Sequence, residues 1–177
     1  MAGRNEYGNA LFLLAKEEDA VETVNTDLNA AHIAIKENPD YIRLLDTPAL
    51  AKAEKIELID KAFSSLNYCV VNLLKILCEK HLVYSLGEVV STYASLYDEY
   101  NGIERVEAVT AIPLTNAQAK AISDKLCIVT GKKIVLKNTV KPEILGGVML
   151  RYSGIQLDGS VKSRLDAFSR SLKNLNL

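Results

Sequence analysis

The spacing of apolar residues first departs from a helical repeat at Asn101-Gly102, and that change limits the possible folds more than any other feature. Before it, apolar side chains recur every three or four residues, the repeat of a helix face. After it that repeat is interrupted by stretches in which they recur every second residue, the repeat of a strand. A chain with that break is mainly α: a six-helix N-terminal bundle followed by a small α+β unit.

The helical half can be read face by face. Tyr7, Ala10, Leu11 and Leu14 form one stripe, and Val21, Val24, Leu28, Ala31 and Ile35 form a narrower seam. Asn38-Pro39 ends that helix, because proline disfavours helix in the residue before it. Tyr41 to Leu45 is a short helix, and Thr47-Pro48 restarts the chain, with proline suited to a first helical turn. Leu50, Ile56, Ile59 and Phe63 line the next helix. Asn67 caps another, with Val70, Leu73, Leu74 and Leu77 inside. Leu86, Val89, Val90, Tyr93, Leu96 and Tyr100 line the last, and Gly102 is placed to end it.

Beyond Gly102, Arg105 to Ala111 alternates as a strand and Pro113 stops it. Thr115 with Gln118 three residues on is a capping-box signal. The helix it opens carries Ala117, Ala121, Leu126 and Val129 and stops at Gly131. Ile134 to Leu136, Val148 to Tyr152 and Ile155 to Leu157 are further strands. Ser160 caps a terminal helix with Val161, Leu165, Phe168 and Leu172 on one face.

Charge divides the chain near the same place. Residues 1–105 hold 10 Lys and Arg against 17 Asp and Glu, a net −7, and residues 106–177 hold 11 against 5, a net +6. Two domains, 1–105 and 106–177, are therefore expected, their opposite charges fitting either two unrelated solvated surfaces or two different partners. No apolar run reaches the ~18 residues that span a bilayer, and the N-terminus lacks a signal-peptide layout, so a soluble, cytosolic protein is expected. Cys69, Cys78 and Cys127 form no C-x-x-C and are expected to be buried, reduced side chains. His32 and His81 have no second ligand nearby in sequence.

The stretch Lys141 to Leu165 could be taken for a phosphate cradle, since it holds Gly146-Gly147 and Asp158-Gly159-Ser160. A Walker loop needs a lysine and a hydroxyl after its glycines, and a dinucleotide loop needs its glycines between a strand and a helix. Here the pair is followed by Val148-Met149-Leu150 and precedes a strand. It is expected to be a bend, and Asp158-Gly159-Ser160 a turn with a helix cap. No activated nucleophile, paired base or metal cluster accompanies them.

Pro142 to Leu150, followed by Leu157 to Val161 and Arg164-Leu165, resembles the C-terminal signature of the delta subunit of F-type ATP synthases, called OSCP in mitochondria. The resemblance runs the length of the chain. Tyr7 to Phe12 is similar to the family's first helix, with Gly8 in place of the usual alanine. Asn72 to Leu77 followed by Glu79-Lys80 is similar to its fifth helix, with Leu82 where arginine is common. Ala111 to Thr115 is similar to its strand-to-helix step.

The resemblance implies a non-catalytic stator subunit with no cofactor and no metal. It would link the catalytic hexamer to the peripheral stalk, so that ion translocation is coupled to ATP synthesis. The N-terminal domain would bind the N-termini of the alpha subunits between its first and fifth helices, through Tyr7, Ala10, Leu11, Leu14, Leu73, Ile76 and Leu77. The small Gly8 and Ala10 would let a partner helix approach. The C-terminal domain would hold the C-termini of the b subunits through Val161, Lys162, Arg164, Leu165 and Phe168, with Gly146, Gly147, Asp158, Gly159 and Ser160 as structural signature. The family place is the cytoplasmic face of the bacterial membrane, as one copy in the complex, without membrane insertion or nucleic acid. The alternative that composition leaves open is an RNA-binding protein with a basic α+β domain, although no RNP or G-x-x-G loop is present.

Overall fold

The computed structural model describes residues 4–47, 50–144, 146–152 and 154–159. The chain divides into two compact units, one on each side of the Asp98–Glu99 bond. Seven α-helices and a four-stranded sheet are found among the described residues. Most of the helix lies in the first unit, and the sheet lies in the second.

The first unit runs α1 (Arg4–Glu17), α2 (Val21–Glu37), α3 (Pro39–Asp46), α4 (Lys52–Ala62), α5 (Tyr68–Glu79), a 3-10 turn over Val83–Ser85, and α6 (Leu86–Tyr100). Its core is one cluster, built from Leu11, Phe12 and Ala15 of α1, the Val24-Leu28-Ala31-Ile35 seam of α2, most of α5, and Leu86, Val89, Val90 and Tyr93 of α6. Pro39 opens α3 as its first residue, where its missing N–H costs nothing. Asn67 Oδ1 accepts from the Cys69 N–H at 2.9 Å and caps α5. Tyr93 is fully buried. Its ring meets Phe12 edge-on at 5.4 Å, and its hydroxyl donates to the Val21 carbonyl at 2.9 Å.

Two expectations about this unit need correction. The helix expected from Pro48 begins at Lys52, where Glu54 Oε2 accepts from the Ala51 N–H at 2.9 Å and closes the first turn; Pro48 lies outside the described residues. Gly8 is buried against α6, and an added Cβ would sit 2.7 Å from Thr92 Cβ. Its smallness therefore serves close packing within the chain and leaves no room for a partner.

The second unit contains β1 (Ile103–Thr110), α7 (Asn116–Thr130), β2 (Lys133–Val140), β3 (Val148–Tyr152) and β4 (Ile155–Asp158). The strand order is β2-β1-β3-β4. β1 and β2 are parallel and bridged by α7, as a parallel pair requires, and β3 is antiparallel to both its neighbours. Gly102, at φ +60, makes the turn between α6 and β1. Thr115 Oγ1 accepts from the Gln118 N–H at 3.3 Å and Gln118 Oε1 accepts from the Thr115 N–H at 3.0 Å, closing the capping box; Gly131 at φ +68 ends α7. Glu104, buried at the start of β1, receives Lys132 Nζ at 2.8 Å, and the carboxylate raises the lysine pKa.

The expected inner stripe of α7 reduces to Leu126. Ala117, Ala121 and Val129 are not buried, and Cys127 is exposed, against the expectation that every cysteine is buried. A helix lying on one side of a sheet buries only a narrow line, and one large side chain fills it here.

Candidate interaction surfaces

The α1–α5 face follows from how α5 sits in its unit. Cys69, Val70, Val71, Leu73, Leu74, Leu77 and Cys78 are all buried, so the helix is enclosed on most sides. It exposes one line at four-residue spacing, Tyr68, Asn72 and Ile76. α1 packs along it. The Glu18 carboxylate, just past the end of α1, lies near the Tyr68 hydroxyl at the start of α5 and pushes the phenol pKa up. Close at those ends, the helices run antiparallel.

The seven residues expected to form an alpha-subunit site fall into three groups. Leu11, Leu73 and Leu77 are in the core. Tyr7 is half-buried and packs on the core's edge. Ala10, Leu14 and Ile76 are exposed, Leu14 at 39% and Ile76 at 45%. Leu13, 61% exposed, extends the same apolar surface and was not among them. Its signal was present in the run Leu11-Phe12-Leu13-Leu14: four consecutive apolar residues cannot all face one core.

In the second unit the signature glycines shape a turn. Gly146 and Gly147 form a bend that leads into β3, and Gly147 has φ +87, open to glycine and strained for other residues. The Gly159 N–H, just past Asp158 at the end of β4, donates to the Val148 carbonyl at 3.0 Å; a Cβ on Gly159 would meet that same oxygen at 3.0 Å. The three glycines border an open, largely apolar hollow of about 720 Å³, walled by the β1–α7 loop and α7 through Ile112, Pro113 and Ile122. The opposite face of the sheet is a wide groove of about 480 Å³ carrying Arg105, Glu107, Lys137 and Arg151. Glu107 faces Arg151 at 3.8 Å and accepts from Thr139 Oγ1 at 2.7 Å, so three cations line this groove with one carboxylate. Sequence reading missed that face because its charges come from three strands and meet only through the register.

Ser160 and the expected stalk-binding residues Val161, Lys162, Arg164, Leu165 and Phe168 lie outside the described residues. Among the described residues, no group of three His, Cys, Asp or Glu side chains is placed to hold a metal ion, and no helix is long and apolar enough to cross a membrane.

Comparison with known proteins places these surfaces in a lineage. The family described as ATP synthase delta (OSCP) subunit matches residues 4–172. In Carboxydothermus hydrogenoformans, the ATP synthase subunit delta is 34% identical over 172 residues, spanning 97% of each chain. Its counterpart in Lactobacillus johnsonii is 33% identical over 169 residues, 95% of this chain and 93% of its own. That of Clostridioides difficile is 31% identical over 173 residues, 97% of this chain and 96% of its own. One polypeptide in the cryo-EM structure of the Toxoplasma gondii mitochondrial ATP synthase hexamer superposes with a TM-score of 0.72, covering 97% of this chain and 98% of that one. At 22% identity, it speaks for the fold alone. Matched over nearly its whole length by the family and by relatives above 30% identity, the chain belongs to the ATP synthase delta (OSCP) subunit family.

Proposed function

We propose that this chain is a non-catalytic stator subunit, joining the alpha/beta hexamer of an F-type ATP synthase to the stalk formed by the b subunits. In this reading residues 1–105, as a six-helix bundle, receive the N-termini of the alpha subunits on the α1–α5 strip. Residues 106–177 hold the C-termini of the b subunits through Val161, Lys162, Arg164, Leu165 and Phe168. The chain works as a single copy at the cytoplasmic face of a bacterial membrane. Beside family membership, the observation that carries the reading is the exposed apolar side chains Ala10, Leu13 and Leu14 on α1 and Ile76 on α5. An amphipathic helix laid on an apolar surface is a standard mode of recognition. The net +6 of residues 106–177 suits an acidic stalk partner.

The test uses the full chain and a peptide from the N-terminus of the alpha subunit in the same complex. Ile76 is exposed, so Ile76→Asp is expected to keep the wild-type melt. The same variant should lose at least about tenfold in peptide affinity, or about 1.4 kcal/mol, because the carboxylate would be desolvated without a partner. A folded Ile76→Asp chain with unchanged affinity removes this strip as the site. Salt-dependent binding of RNA by the isolated chain would favour the RNA-binding alternative.

A further inference from the structure

The inward side of α4 carries a charge that the fold does not balance. Lys55 is only 8% exposed. Among the described residues no carboxylate lies within ion-pair distance of it, and no acceptor hydrogen-bonds to it. Its ammonium is not among the buried side-chain atoms left without a partner, so the aliphatic stem is buried while the unpaired charge opens to solvent.

Lys55 lines a pocket of about 360 Å³ between the start of α4 and the end of α5, together with Lys52, Lys75, His81, Cys78 and Glu79. The cations on its rim are already shared. Lys52 Nζ lies 2.9 Å from Glu79, Lys75 Nζ lies 2.6 Å from Asp60, and His81 Nδ1 lies 3.4 Å from Asp46. Lys55 alone adds charge that no carboxylate in the pocket meets. Its field reaches the inner wall: burial pushes the Cys78 thiol up, and the Lys55 charge opposes that rise. The pocket also adjoins the first turn of α4, where the helix dipole adds positive potential.

We propose that this pocket binds a compact tetrahedral oxyanion of the phosphate or sulfate type, with Lys55 as its unpaired counter-charge and Lys52 and Lys75 as rim donors. An ammonium has three donors and no acceptor, so each rim lysine can bond an anion while keeping its carboxylate. An anion with four oxygens can accept from all three lysines at once, whereas a monocarboxylate has two. The inference concerns a site separate from the alpha-peptide strip and does not rest on the stator reading.

The test is a titration of the full chain with inorganic phosphate at fixed ionic strength, following backbone amide signals by NMR. Saturable shifts clustered on α4 and the end of α5 are expected, with a Kd of about 1 mM or tighter. Acetate and chloride at the same ionic strength should give smaller, unsaturated shifts. Lys55→Met keeps the aliphatic stem and removes the charge, so phosphate should bind at least about tenfold more weakly. The exposed Lys52→Gln variant should weaken it by a smaller factor. The proposal is overturned by phosphate shifts that stay linear and match those of chloride, or by a saturable site that Lys55→Met leaves intact. Should Lys55→Met not fold, unchanged phosphate affinity in both Lys52→Gln and Lys75→Gln overturns it as well.

Discussion

Two tyrosine hydroxyls in the helical unit make opposite contributions. The Tyr93 hydroxyl donates to the Val21 carbonyl, and burial raises its pKa. The Tyr41 hydroxyl is buried with no hydrogen-bond partner, and burial pushes its pKa up to about 12. A made hydrogen bond stabilises by about 1 kcal/mol, whereas an unmade buried one costs about 1–3 kcal/mol. Tyr93→Phe is therefore expected to lower stability by about 1 kcal/mol. Tyr41→Phe, which keeps the edge contact with the Phe63 ring at 6.1 Å, should be neutral or stabilising near pH 7. Both are read by denaturant melts. The pH profile adds a second check. The folded state holds the Tyr41 proton more tightly than the unfolded chain, whose phenol titrates near ~10. The stability tied to that proton is thus fully present below about pH 10 and is lost as pH rises from there toward 12. The Tyr41→Phe chain should lose less stability over that window than the wild type.

At the scale of elements, the approach of α1 to α6 depends on Gly8. Alanine would gain about 1 kcal/mol in helix propensity. Its Cβ, however, would meet Thr92 Cβ at 2.7 Å and Cγ2 at 2.9 Å, and overpacking of that kind costs about 1–3 kcal/mol. Gly8→Ala should lower the melting temperature, and adding Thr92→Ala should recover part of the loss. This contact was illegible in the sequence, because a small residue gives no sign of which surface it lets approach. Much else could be read. Thr115 with Gln118, Asn67, Pro39, Gly102 and Gly131 all act at element ends, because capping and turn chemistry is local. β3 has its expected bounds, Val148–Tyr152. β2 runs Lys133–Val140, well beyond the apolar Ile134 to Leu136, because it is an edge strand of this sheet with alternate positions exposed. On the candidate strip, the stripe of α5 did not separate Ile76 from its inward neighbour Leu77. A helix enclosed on most sides is apolar nearly all round, and its one open line shows only in the packing.

For the whole molecule, the division after Asp98 and the start of β1 at Ile103 put Arg105 inside a strand. A fragment ending at Arg105 would carry the first residues of β1 without their partners Lys133, Ile134 and Val135. A fragment ending at Tyr100 avoids that. Its helices share one core, so it should give a cooperative melt and a helical circular dichroism spectrum. A broad, non-cooperative transition would mean that the first unit needs the second. The strand directions also set how the second unit would meet a pull along its own backbone. The chain enters from α6 at the foot of β1, which is bonded to β2 over its full length and to β3 on its other side. Because β3 is antiparallel to both β1 and β4, β4 points the same way as β1, and the chain leaves it at the opposite end of the sheet. Tension between Ile103 and Asp158 therefore runs along the strands. The ladder is loaded in shear, with its hydrogen bonds sharing the force and yielding together, whereas a hairpin pulled from one end would open like a zip.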